Sequence, residues 1–232
     1  MRPPVATNSL FRRLPSAETA VLRPLLEPLD LTLGDLLCEA HDEIGFAVFP
    51  STGVISLAAS MPDDATVEVG LVGRDGMFGV PLAAGRRRST VRAVVQGDGV
   101  AHRIPARAFE RALASCPTFR DRLHVYTLTL LTQVGQTALC NASHSIEARA
   151  ARWMLQLSDR LESPTFDLTQ EYLADMLGVR RPAVSRAARG LLKAGMLRYS
   201  RGVVEIIDRP RLETIACRCY AVLAGRYREA VA

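Results

Sequence analysis

The sequence predicts an α+β chain built as an N-terminal β-roll, a long helix and a C-terminal winged helix-turn-helix. Three observations carry this. Short β-prone runs, punctuated by Gly and Asp, recur about every ten residues between Leu31 and Ile104. Thr118 to Ala142 then runs without Pro and with a single Gly. Phe166 to Asp208 reads as helix, Gly turn, helix and hairpin.

The composition suits a globular chain: 232 residues, 48% hydrophobic and 23% charged. No apolar run reaches the roughly 18 residues of a membrane span, and Met1 to Leu10 lacks the apolar core of a secretory signal. Five cysteines, Cys38, Cys116, Cys140, Cys217 and Cys219, show no framework spacing. The expectation is a cytoplasmic protein without membrane partners. Charge is uneven. Residues 1–143 hold 14 Arg against 14 Asp and Glu; residues 144–232 hold 15 Arg and Lys against 10. The whole excess of +5 therefore lies at the back. A neutral front and a basic back fit a sensor joined to a polyanion-binding domain, although such a charge alone can merely aid solubility.

In chain order, Asn8 to Leu29 is expected as helix, from Ala20, Val21, Leu25 and Leu29 at near-helical spacing. Strands follow at Leu31–Leu33, Leu36–Cys38, Ala47–Phe49, Val54–Ala58, Thr66–Val72, Val91–Val95 and Val100–Ile104, with turns at Gly34-Asp35, Gly53, Pro62-Asp63-Asp64, Gly73 and Gly97-Asp98-Gly99. Pro105 to Ala114 is a short helix. Along Thr118 to Ala142, Phe119, Leu123, Tyr126, Leu130, Gln133 and Thr137 fall at alternating four- and three-residue steps. That is a heptad-like seam for a partner helix, or equally a face packed on the chain's own sheet. Ser145 to Leu161 is a further helix, ended by Glu162-Ser163-Pro164. The domains are expected at 1–117, 118–143 and 144–232.

The informative stretch starts at Thr169, a good N-cap, with Glu171 in the positive first turn and Leu173, Met176 and Leu177 as an apolar stripe. Gly178 should end this helix in a left-handed turn. Pro182 is tolerated in a first helical turn and so fixes the start of the second helix. Val184, Ala188, Leu191 and Leu192 form its core side, which leaves Arg181, Ser185, Arg186 and Arg189 on the other. Arg near the N-terminal end of a recognition helix can grip guanine edges, while Arg180 and Arg189 are better placed for phosphates. Thr169 and Gln170 join the interface at the first helix. Arg198–Ser200 and Val203–Ile207 form a hairpin with Arg201-Gly202 at its tip, a wing that can reach the DNA backbone or minor groove. Each Arg alone is an ordinary surface charge; the ordered set of cap, Gly turn, Pro start, Arg face and Arg-Gly wing is what points to double-stranded DNA.

Residues 168–208 resemble the C-terminal winged helix of the Crp/Fnr regulators, the family of the cyclic-AMP receptor protein. In the front half Gly34-Asp35, Gly53-Val54, Gly76-Met77-Phe78-Gly79 and Arg88-Ser89-Thr90-Val91-Arg92-Ala93 resemble that family's cyclic-nucleotide-binding β-roll and its phosphate cassette. The resemblance implies a transcription regulator with a β-roll sensor and a long dimerisation helix. It acts as a homodimer on a two-fold site and works with RNA polymerase. Gly76, Met77, Phe78, Gly79, Arg87, Arg88 and Ser89 would line the effector pocket. Nucleotide-binding members place Glu after the first cassette Gly, where it accepts a ribose hydroxyl. Met77 cannot. Arg87 or Arg88 would still supply charge for a phosphate. Cyclic AMP is therefore disfavoured; another nucleotide, a small ligand or none stays open, and no cofactor is assigned.

No metal site is expected. The cysteine cluster of the iron–sulfur members is missing from residues 1–37. Cys217-Arg218-Cys219 is read as helical, and positions two apart on a helix diverge. The competing class is a cupin-like β-roll metalloenzyme with an appended helical domain. It needs clustered His on neighbouring strands, and the β region holds only His41 and His102. A third reading is a helix-turn-helix that binds protein and has lost DNA, which the Arg face opposes. No catalytic triad or carboxylate pair stands out, and no enzyme is expected.

Overall fold

A computed structural model describes residues 8–60 and 66–231. Its front half is a pair of antiparallel sheets. One has the order β1 (Glu27–Leu31), β7 (Gly99–Pro105), β3 (Phe46–Pro50). The other has the order β2 (Leu36–Cys38), β6 (Arg92–Gly97), β4 (Val54–Ser60), β5 (Thr66–Val72). Alternating side chains of both sheets close on one core with Ile44, Val48, Ile55, Val95 and Ile104. At one end, Phe11, Phe49, Phe109 and Phe119 meet as an aromatic cluster, with Phe11 edge-on to Phe49 at 4.8 Å and stacked on Phe119 at 5.2 Å.

Two expectations at the front need correction. The first helix is only α1 (Ser16–Leu22), flanked by single 3-10 turns at Ser9–Phe11 and Arg23–Leu25. Leu29, expected on that helix, lies in β1 opposite Ala101, so β1 ends where the first strand was expected to begin. Pro24 and Pro28 break the helical run that the apolar spacing suggested. The expected turn at Pro62-Asp63-Asp64 lies outside the described residues.

Helix α2 (Ala106–Ser115) leads to α3 (Pro117–Ser143), and Pro117 sits in its first turn. The α3 residues Phe119, Leu123, Tyr126, Gln133 and Thr137 are buried against the chain's own β-roll and C-terminal helix, with Leu130 half-buried. The expected partner seam is therefore an internal face. At 100° per residue the opposite face carries Val125, Leu128, Leu131 and Leu139, all exposed, Leu128 and Leu131 at 64%.

The back half is built around α4 (Ile146–Leu161), started by Ser145, whose side chain accepts from the Ala148 amide. Almost every α4 residue from Arg149 to Ser158 is buried. Around it pack α5 (Gln170–Leu177), α6 (Arg181–Lys193) and α7 (Arg209–Ile215), with the small sheet β8 (Thr165–Asp167), β10 (Val203–Ile206), β9 (Leu197–Ser200). The segment taken as one C-terminal helix is broken: α7 ends at Ile215, and α8 (Cys219–Val231) runs back along α3.

Candidate nucleic-acid interface and sensor cavity

The helix-turn-helix forms for local reasons. The Thr169 side chain accepts from the Tyr172 amide at 3.1 Å and so caps α5. Gly178, at φ 61°, closes α5 and takes up two carbonyls with its amide. A Cβ there would also stand 2.6 Å from Val67 of β5, so a side chain is doubly excluded. Arg180 begins α6 without capping it by its side chain; Pro182 carries no N–H, and the Ala183 amide donates to the Arg180 carbonyl at 2.9 Å, so the first turn closes on itself. Val184 and Leu191 are fully buried, and Ala188 and Leu192 half-buried, on the core side of α6.

The opposite side carries the charge. Arg180, Arg181, Arg186 and Arg189 are exposed, and none forms an ion pair among the described residues. Arg189 donates along its own helix to the Ser185 carbonyl at 3.1 Å. Ser185 donates to Gln170 Oε1 at 2.6 Å, so the two polar residues on facing helices brace one another. The wing is a two-residue hairpin in which Ser200 pairs with Val203. Arg201 and Gly202 both have positive φ, 49° and 86°, as a type I′ turn requires. That geometry holds the exposed Arg201 out at the tip. Beside it, Arg198 is neutralised by Glu205 across the hairpin at 2.6 Å. Arg180, Arg181, Ser185, Arg186, Arg189 and Arg201 thus end on solvent-facing parts of α6 and the wing, with Thr169 and Gln170 at the start of α5.

The cassette residues do not all converge. Met77, Phe78, Gly79 and Ser89 line a cavity of about 180 Å³, closed by Leu57, Val69 and by Leu130 and Val134 of α3. Its walls are almost wholly apolar. The Ser89 hydroxyl is occupied, donating to the Val91 carbonyl at 2.6 Å. Gly76 stands apart: a Cβ would lie 2.2 Å from Tyr126, whose hydroxyl donates to the Met77 carbonyl at 3.0 Å. Arg87 points elsewhere, held bidentately by Glu110 of α2 at 2.9 and 2.5 Å. That hydrogen bond holds the Glu110 carboxyl below its usual range. Arg88 is exposed and pairs through its backbone with Glu43. The expectation that Gly76, Arg87 and Arg88 line the pocket is therefore corrected: Tyr126 of α3 packs on Gly76, Glu110 of α2 holds Arg87, and Arg88 faces solvent.

Sequence reasoning missed the contact between the two halves. Trp153 of α4 donates to Glu68 Oε1 at 2.7 Å, and Ser56 donates to Glu68 Oε2 at 2.7 Å. Glu68 is buried, and desolvation pushes its carboxyl up to about 7 against the pull of those two bonds and of Arg152 and Arg160. Alternation along β5 marks Glu68 only as one strand position among others; its partner lies 85 residues away.

The C-terminal half matches the family model of the Crp-like helix-turn-helix domain over residues 148–215. A CRP-like cAMP-activated global transcriptional regulator of Mycobacterium tuberculosis is 23% identical over 218 residues, spanning 90% of this chain and 96% of the relative. Residues 148–215 thus match a Crp-like helix-turn-helix domain, and the chain as a whole is similar to a CRP-like regulator. The likeness in fold extends over both halves. A Crp/Fnr-family regulator from Eubacterium rectale superposes with a TM-score of 0.71 at 18% identity, over 89% of this chain and 96% of its own. FixK2 from Bradyrhizobium japonicum gives 0.70 at 16%, over 83% and 98%. At these identities the likeness to solved structures shows the fold, and the family match is to a helix-turn-helix domain.

Proposed function

We propose that the protein binds a two-fold DNA site as a homodimer, with α6 in the major groove and the wing on the backbone. The observation that carries this is the unpaired Arg face of α6. Arg181 and Arg186 with Ser185 read base edges, Arg180 and Arg189 hold phosphates, and Arg201 reaches from the wing. Thr169 and Gln170 fix the approach of α5. The outward stripe of α3 supplies the partner surface. Val125, Leu128 and Leu131 form an exposed apolar patch, Leu139 lies further along the same face, and Gly135 between them has no heavy atom within 4 Å of where a Cβ would stand.

The sensor reading differs from that of the cAMP-activated mycobacterial relative. A cavity of about 180 Å³ is smaller than the roughly 300 Å³ at which ligand pockets begin. It has no cation to meet a phosphate, since Arg87 is held by Glu110. We infer that cyclic AMP is not the effector and that a small apolar ligand, if any, would fit. The cupin alternative loses ground, because among the described residues no group of His and carboxylates in the β-roll lies close enough to share a metal. Contact with RNA polymerase and residence in the cytoplasm follow the family pattern.

Selection of bound duplexes from a random library, with full-length protein and no ligand, tests the reading. Recovery of a two-fold symmetric motif supports it. A folded, dimeric protein that recovers no motif, with or without added nucleotides, overturns it.

A further inference from the structure

Outside the interface and the cavity, one cluster of reactive side chains is left unused. Cys140 lies in the last turn of α3, and His144, four residues on, is the extended residue that caps it, its amide donating to the Cys140 carbonyl. Cys217 and Cys219 lie in the turn that joins α7 to α8, with Cys219 as the first residue of α8. Thiols two positions apart diverge on a helix, but this pair is not within one. The turn aims both thiols at the end of α3.

Donor atoms of all four residues lie within 4.8 Å of one another. Cys140 and Cys217 sulfurs are 3.3 Å apart, and Cys219 Sγ is 3.6 Å from His144 Nδ1. Bonds of about 2.3 Å to a central tetrahedral ion place thiolates about 3.8 Å apart. The four donors therefore need sub-ångström adjustments. The three cysteines are buried and His144 is half-buried.

The surroundings suit an anionic centre. Arg149 and Arg152 are buried on α4 beside the cluster, and neither forms an ion pair among the described residues. The Nε atom of each has no hydrogen-bond partner. Protonated thiols offer these guanidinium groups no counter-charge. Three thiolates, a neutral imidazole and a divalent cation sum to a net charge of about −1, which does. Gln136 adds an outer contact, donating from Nε2 to Cys219 Sγ at 3.0 Å.

We propose that Cys140, His144, Cys217 and Cys219 form a four-coordinate zinc site that clasps the end of α3 to the turn before α8. Binding displaces three thiol protons and leaves no open coordination position, so the ion is structural and not catalytic. The clasp has reach. It closes over the bend between α3 and α4, and Arg149 beside it donates to the Leu177 carbonyl at the end of α5. On the reading of the protein as a DNA-binding dimer, metal occupancy fixes how the helix-turn-helix is carried relative to α3.

The experiment is metal analysis of the full-length protein purified under reducing conditions, followed by replacement with Co²⁺. The expected result is one zinc per chain, and a cobalt form with thiolate charge-transfer and tetrahedral d–d bands. Addition of a chelator should raise the alkylation rate of Cys140, Cys217 and Cys219 and leave that of Cys38 and Cys116, buried in the β-roll core, unchanged. Cys219→Ser and His144→Ala should lower zinc retention at least tenfold, and Cys38→Ser should retain it. If a cluster variant fails to fold, the wild-type cobalt spectrum and alkylation pattern decide. A reduced, folded wild-type chain that takes up neither zinc nor cobalt overturns the site. So does a Cys140–Cys217 disulfide whose reduction restores no metal binding. These readouts involve no DNA, so failure of the metal site is separable from failure of the DNA-binding reading.

Discussion

Helices α3 and α6 both carry an apolar stripe at helical spacing, yet they differ in how much their sequences disclose. On α6 the apolar residues occupy one side and Arg residues the other, so burial can run only one way. Val184 and Leu191 are inside and Arg181 and Arg186 outside. Helix α3 is apolar on two opposite faces. Phe119, Leu123 and Tyr126 are as well spaced for a seam as Val125, Leu128 and Leu139, and periodicity has no means of ranking them. The larger, aromatic face went inward. The difference teaches that a hydrophobic stripe locates an interface only when the opposite face is polar.

The largest expected effect comes from Leu128→Asp on the outer face of α3. The side chain is exposed, so the chain should keep its circular dichroism while its mass by sedimentation falls to that of one chain, with loss of tight binding to a symmetric site. If Leu128→Asp remains dimeric, the two faces have been assigned wrongly. On α6, Arg186→Ala should cost about 1–3 kcal/mol on a selected site and relax base preference at one position, measured by anisotropy across a set of duplexes. Unchanged preference would remove Arg186 from the reading face.

The contact between halves gives a pH signature. The Glu68 carboxyl is raised to about 7 in the folded chain, against an ordinary 4.5. Its contribution is full below the unfolded value and is lost as pH rises through the folded one. The thermal midpoint, followed by the fluorescence of Trp153, the single tryptophan, should therefore fall between about pH 5 and about pH 8. Glu68→Gln should flatten that slope. Smallest is Arg201→Ala at the wing. It should weaken binding to all sequences alike and reduce the salt-dependence slope by about 1.

Most of the helix-turn-helix geometry was legible because backbone chemistry dictates it: a Thr cap, a left-handed Gly, a Pro in the first turn and a positive-φ Arg-Gly tip leave few alternatives. The strands were legible for a similar reason, since turn residues bracket them. Side-chain direction in the β-roll was not. Nothing local in Arg87 discloses that Glu110 will take it, or in Gly76 that Tyr126 will press against it. The short helix at α1 was overextended because apolar spacing outweighed two prolines. The cysteine cluster was hidden for a different reason: a turn at 216–218 was read as helix, and helical spacing then separated two thiols that the turn brings together.

The exposed row of leucines on α3 also bears on gene dosage. A regulator that must pair before it can grip both half-sites responds to its own abundance more than proportionally. In the dilute regime, halving the number of chains leaves about one quarter of the pairs. On the proposal that this row joins two copies, it would give target promoters a threshold, set by how much of the protein the cell makes.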